Sequence, residues 1–221
     1  MGMFFEEHAK LLSDFARVSQ STGARADYVQ GGGGNTSVKL PGGLMAIKAS
    51  GFCLSDIHPD KAYAVLDGAD LRNFYLTTDP SALADVVKEG SARAKADVRH
   101  IDGLADLRPS VEAGFHSILK TFVVHTHSVY ANLAACSTAC RPIAAQAFAG
   151  ANYTWGWVPY TDPGANLTFA IRDELRRVEK ETGKVPSVIL MQNHGIIVHD
   201  DDPDTALAIH TDANERLAPM F

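Results

Sequence analysis

Phe122-Val123-Val124-His125-Thr126-His127 runs from apolar, β-branched residues into two histidines separated by one threonine. A short run rich in aromatic and β-branched residues reads as a strand. Side chains at i and i+2 of a strand point to one face, so His125 and His127 aim at one point and Thr126 faces away. Two imidazoles on a rigid strand suit Zn²⁺ or another divalent transition metal. The same pair also fits ordinary strand histidines satisfied by other hydrogen bonds. On the C-terminal side an alanine-rich helix extends to about Cys136. On the N-terminal side Pro109 and Ser110 open a helix running to about Lys120. A buried strand between helices sets the class as α/β.

The rest of the chain extends this pattern. Residues 4–20 read as an amphipathic helix, with Phe4, Phe5, His8, Leu11, Leu12, Phe15 and Val18 at three- and four-residue steps. A glycine run, Gly31 to Gly34, precedes Asn35. Thr36–Leu40 and Leu44–Lys48, joined by Pro41-Gly42-Gly43, read as a β-hairpin. Residues 60–67 and 81–96 read as helical. Residues 150–166, with Trp155, Trp157 and several glycines and prolines, read as loop. Residues 168–182 form a charged helix ending at Gly183. Residues 188–191 and 196–198 are strands around an Asn193-His194-Gly195 turn, and Asp202-Pro203-Asp204 caps a helix over 204–217. No repeat or linker interrupts the chain, so residues 1–221 are expected to form one domain with at least partly antiparallel pairing.

The 221 residues are 46% hydrophobic and 21% charged, with a formal net charge of −6. This composition excludes wholesale disorder, and the acidic balance argues against nucleic acid as a partner. No apolar window reaches 18 residues, so no membrane-spanning helix is expected. The N-terminal residues lack the basic region of a secretory signal. Three cysteines, Cys53, Cys136 and Cys140, make an odd count that fits a reducing, cytoplasmic setting.

Several further residues carry chemistry. His194 sits in a polar turn directly after an apolar strand, where it is either an exposed surface group or a third ligand that completes an open catalytic metal site. The remaining histidines lack such spacing and are read as structural or surface groups. Cys136 and Cys140 are read as small core residues of one helix. Glu112 falls near a helix start, as a dipole-favoured acidic residue or as a general acid/base. Ser110 and the free N–H groups of that helix start form a candidate anion site. The glycine run ending at Asn35 and the Ser50-Gly51 pair are further candidates. The glycine run matches neither the P-loop nor the dinucleotide-binding fingerprint.

Gly33-Gly34-Asn35-Thr36-Ser37, Ala49-Ser50-Gly51, Pro109-Ser110-Val111-Glu112 with Phe115-His116, His125-Thr126-His127 and Gln192-Asn193-His194-Gly195 occur in one order over residues 5–217. In that order and spacing the chain resembles the class II aldolase/adducin family. The resemblance implies a three-layer α/β/α sandwich around a largely antiparallel sheet. It implies His125, His127 and His194 as metal ligands and Glu112 as catalytic acid/base. Asn35, Ser50, Gly51 and Ser110 would hold the substrate phosphate. The implied activity is a metal-dependent aldolase cleaving a phosphorylated ketose through a metal-stabilised enediolate, in a homo-oligomer, commonly a tetramer. Epimerase, dehydratase and decarboxylase members share the ligand set, and adducin-like members are non-enzymatic. Two positions depart from the pattern of fuculose-phosphate aldolase. Val111 stands where that enzyme has a second serine, and Tyr160 does not fall where its catalytic tyrosine lies.

Overall fold

Strands whose residues alternate between two apolar faces build the centre of the molecule, and helices cover both faces. The structure, a computed structural model, describes residues 2–221. Eight strands, β1 (Asn35–Leu40), β2 (Leu44–Lys48), β3 (Tyr63–Asp67), β4 (Val98–Arg99), β5 (Phe122–Thr126), β6 (Trp155–Val158), β7 (Val188–Met191) and β8 (Gly195–Asp200), form one sheet in the order β4-β3-β2-β1-β5-β8-β7-β6. All neighbours are antiparallel except β6 and β7.

Nine α-helices among the described residues flank the sheet: α1 (Met3–Glu7), α2 (Ala9–Gly23), α3 (Gly68–Thr77), α4 (Val86–Ala96), α5 (Ala113–Ile118), α6 (Val129–Ala135), α7 (Cys140–Ala147), α8 (Ala165–Thr182) and α9 (Pro203–Leu217). On one face Met45, Ile47, Val123, Ile189 and Ile197 pack against α3, α5 and α8 through Leu71, Phe115 and Ile171. On the other, Val38, Ala46 and Val65 meet Leu12 and Phe15 of α2, while Val188 and Val198 meet α6, α7 and α9 through Ala131, Ala144 and Ala213. Because both faces are covered, the central strands are apolar throughout rather than alternating with polar residues. The result is a three-layer α/β/α sandwich with a largely antiparallel sheet, as the resemblance implied.

The hairpin of β1 and β2 forms as expected. Its turn places Gly42 and Gly43 at φ 74° and 80°, a region favouring glycine. The helix expected over 4–20 is broken at His8, whose φ of −107° and ψ of 12° separate α1 from α2. Residues 60–67 are not helical. Ala64 and Leu66 face one core while Tyr63 and Val65 face the other, so an alanine- and leucine-rich run is a doubly buried strand. Asp67 then caps α3, accepting from Asp70 N at 2.9 Å. The loop expected over 150–166 contains the edge strand β6, held by parallel pairing to β7. Cys136 and Cys140 do not share one helix: Cys136 is the C-cap of α6 and is exposed rather than a core residue, whereas Cys140 is the first residue of α7 and is buried. No helix among the described residues is long and apolar enough to cross a membrane.

Candidate metal centre and active site

The register of the sheet assembles the site. Asn35, first residue of β1, lies opposite His125 near the end of β5. His127 follows one residue beyond β5, on the face already taken by His125. The tight turn between β7 and β8 supplies His194, with Asn193 at φ 54° and His194 N bonded to the Met191 carbonyl at 3.2 Å. Two glycines make the approach possible. A Cβ at Gly195 would strike the Thr126 carbonyl and come within 3.2–3.3 Å of both strand imidazoles, and one at Gly34 would lie 2.6 Å from the His125 carbonyl.

His125, His127 and His194 each offer one ligand atom, and these atoms all lie within 4.8 Å of one another. His125 is fully buried, and its Nδ1 donates to the Ile196 carbonyl at 3.0 Å. That bond fixes the proton on Nδ1 and leaves the Nε2 lone pair facing the cluster. The Nε2 atoms of His127 and His125 are 3.2 Å apart. Burial pushes the His125 imidazole down to about 4 and lowers that of His127, so both are neutral near pH 7, the form that binds metal.

Glu112 completes the cluster. Its Oε1 lies 3.1 Å from His194 Nε2 and its Oε2 lies 3.6 Å from His125 Nε2. The residue is the N-cap of α5, which begins three residues later than Ser110. The helix expected from Pro109 therefore starts at Ala113. Pro109 instead bridges to Ala49, tying the Ser50-Gly51 turn to this segment. Burial alone would raise the Glu112 carboxyl. The His125 and His194 imidazoles and the Asn35 amide outweigh it and hold the carboxyl well below the usual carboxylate range.

Asn35 organises this corner. Its Nδ2 donates to Glu112 Oε2 at 2.5 Å and to Ser110 Oγ at 3.1 Å. Its Oδ1 accepts from His116 Nε2, and His116 Nδ1 accepts from Ser37 Oγ at 2.7 Å. His116 is fully buried, and burial holds its imidazole neutral. A cavity of about 270 Å³ opens beside these groups, lined among others by Gly33, Gly34, Ser50, Gly51, Ser110 and His194. All eight residues singled out from the sequence thus meet in one place.

Three residues of this corner have no site role in the sequence reading. Lys48, 5% exposed, lines the cavity and donates to the Phe52 carbonyl at 2.7 Å. Arg108 Nη2 donates to Ser50 Oγ at 3.0 Å. His116, read as structural, supports Asn35. A lysine closing the apolar Leu44–Ile47 run is the one available signal, since charge is seldom spent on a buried strand. Tyr160 is 57% exposed and donates to Asp162 at 3.1 Å, outside the set lining the cavity.

Fold and site together define an α/β sandwich with three histidines and one carboxylate at one end of its sheet. The chain belongs to the Class II Aldolase and Adducin N-terminal domain family, whose profile matches residues 13–220. It is similar to the N-terminal class II aldolase domain of a conserved protein from Thermoplasma acidophilum, at 20% identity and a TM-score of 0.76, with 95% of this chain and 92% of that one covered. YgbL from Klebsiella pneumoniae, whose own description leaves open aldolase, epimerase and decarboxylase, is 18% identical with a TM-score of 0.65 over 100% of this chain and 91% of that one. L-fuculose-1-phosphate aldolase from Thermus thermophilus is 16% identical with a TM-score of 0.59 over 96% of this chain and 94% of that one. At these identities the likeness shows the fold. No curated protein matches the sequence.

Proposed function

We propose that the chain is a metal-dependent lyase of the aldolase type, acting on a small phosphorylated ketose or related hydroxy-carbonyl compound. The observation that carries this reading is the convergence of three imidazoles on one buried carboxylate beside a cavity lined by Ser50, Gly51 and Ser110.

The donor set fits a divalent transition metal such as Zn²⁺. His125 presents a lone pair, two ring nitrogens face each other at 3.2 Å, and His194 Nδ1 is buried without a hydrogen-bond partner. A cation held by His125, His127 and His194 would satisfy such a set and keep one position open. Bound there, it supplies Lewis acidity to a carbonyl oxygen and the neighbouring hydroxyl.

The chain's own residues supply the remainder. Glu112 is ionised and beside the ligands, placed to take a proton from the substrate and return it to carbon. Asn35 holds its carboxylate in one orientation. Both amide protons of Asn35 serve Glu112 and Ser110, so in this reading it acts on a phosphate by positioning Ser110. Ser50, Gly51 and Ser110 hold the phosphate, and Lys48 and Arg108 lend positive charge nearby. Fixing the phosphate aligns the reacting carbon with Glu112. Val111 lines the site cavity, and Val129 and Leu133 lie beside His127; all three are exposed apolar groups, which supports the further proposal that the protein is a homo-oligomer.

The test has two parts. Metal content is measured for protein purified without chelator, beside a His125→Ala variant. The loaded protein is then incubated with a panel of ketose phosphates, and products are separated by chromatography. About one ion per chain, lost in the variant, with release of an aldehyde, is expected. An epimer, a dehydrated product or carbon dioxide would replace the aldolase reading, and no metal uptake from Zn²⁺ would overturn the site.

A further inference from the structure

A second cavity, of about 620 Å³, lies at the opposite end of the same strands, under α3, α5 and α8. Lys39 of β1, Leu44 of β2 and His199 of β8 line it, while Asn35, Lys48 and Gly195 of those strands mark the histidine end. Four residues of strand, about 13 Å, separate the two ends. We infer that this cavity is a second binding site, for a small organic anion with a short aliphatic body.

Charge is the first argument. Lys39, Arg72, Lys120, Arg172 and Arg176 line the cavity against only Glu179 and Asp201, in a chain whose net charge is −6. Some of these cations are already neutralised: Lys120 pairs with Asp200 and Arg172 with Asp173, each at 2.9 Å. Lys39 and Arg72 are not. Lys39 Nζ donates to the His116 carbonyl, and Arg72 Nη1 to the carbonyls of Ser117 and Ile118 at 3.3 and 2.7 Å. Among the described residues, these two cations are held by carbonyl oxygens alone. Burial and the neighbouring Arg72 push the Lys39 ammonium well below its usual value, a cost that a bound anion would relieve.

His199 is the second, independent argument. It is 1% exposed and lines the cavity, and neither ring nitrogen makes a well-formed hydrogen bond, the Pro186 carbonyl alone lying beside the ring as a backbone acceptor. A buried polar group without a partner requires one, and an oxyanion head group supplies an acceptor for its N–H. The third argument is the remaining wall. Leu40, Leu44, Leu76, Ile118 and Leu175 give a chain of carbons an apolar surface beside the charged one.

The pocket also touches the scaffold of the histidine site. Lys39 donates to the His116 backbone, and the His116 ring bonds Asn35, which holds Glu112. Binding itself does not depend on what reaction that site performs.

Isothermal titration with n-hexyl phosphate and with hexan-1-ol tests the inference on wild type, Arg72→Met and His127→Ala. The phosphate is expected to bind saturably at one Arg72-dependent site per chain, counted apart from any binding in the Ser50–Ser110 pocket, with hexan-1-ol at least tenfold weaker at that site. Arg72→Met, an exposed position, is expected to weaken the phosphate at least tenfold through loss of a charge-assisted contact. His127→Ala is expected to bind within twofold of wild type. Absence of saturable binding, or equal affinity for the alcohol, overturns the site. Binding that survives Arg72→Met unchanged, whether or not it disappears in His127→Ala, places the anion at the Ser50–Ser110 pocket or the histidines instead and also overturns it.

Discussion

Asn35 and Glu112, 77 positions apart, are joined by a hydrogen bond of 2.5 Å between the amide Nδ2 and carboxylate Oε2. The bond ties the first residue of β1 to the cap of α5, and the other side of the amide accepts from buried His116. Replacing Asn35 by Ala leaves an imidazole and a carboxylate short of partners. Stability should fall by about 1–3 kcal/mol. Turnover should fall at least tenfold while metal content stays near wild type. Urea unfolding, metal analysis and steady-state kinetics on the same preparation check all three. A variant with unchanged turnover would remove Asn35 from the positioning of Glu112.

Glu112→Gln separates proton transfer from metal binding. Glutamine keeps an oxygen that can accept from Asn35 but cannot take a proton at neutral pH. Loss of a general acid/base typically lowers rate about 10²–10⁴-fold. Metal stoichiometry should remain near wild type, because the three histidines stay in place. Full activity in Glu112→Gln would rule the residue out as the acid/base.

Gly195→Ala tests the close approach at the turn. The added Cβ would meet the Thr126 carbonyl and press on the His125 and His127 rings at 3.3 and 3.2 Å. Overpacking of this kind costs about 1–3 kcal/mol. The larger expected effect is on the ligands, with metal affinity at least tenfold weaker in a competition titration against a chromophoric chelator. Unchanged affinity would show that the turn yields without moving the rings.

The three histidines are legible in the sequence as candidate ligands because their signals are local. His125 and His127 follow strand periodicity, and His194 ends an apolar strand at a turn. Glu112 is legible as a residue, whereas its helix reads as starting too early, since Pro109 serves a bridge to Ala49 rather than a helix start. Tyr63–Asp67 reads as helix because two buried faces remove the polar alternation that marks a strand. The contributions of His116, Lys48 and Arg108 depend on pairings between distant segments, such as Asn35 with His125, and a single sequence carries no trace of those.

Metal should stabilise the fold as well as serve the site. A ligand that binds only the native state at 100 times its Kd adds about 2.7 kcal/mol. For a chain of this length that corresponds to a rise in Tm of roughly 5–10 °C. Protein stripped with chelator and then given Zn²⁺ should show this rise by differential scanning calorimetry, and His125→Ala should not. An equal rise in both would place the responsible ion elsewhere.

Acid sensitivity should come partly from histidines outside the metal site. Burial, with Lys39 and Lys120 adding to it, pushes His199 down to about 3, and burial does the same to His210. Both groups bind protons more readily in the unfolded chain, whose value is 6.5. Their stabilising effect is therefore complete above pH 6.5 and is lost progressively as pH falls toward 3. Between about pH 7.5 and pH 5.0 each should remove about 2 kcal/mol of stability. His199→Leu deletes one of the two, so its loss over that interval should be about 2 kcal/mol smaller than in wild type. Urea midpoints at the two pH values measure the difference, and parallel losses in the two proteins would show that His199 takes up its proton in the folded state.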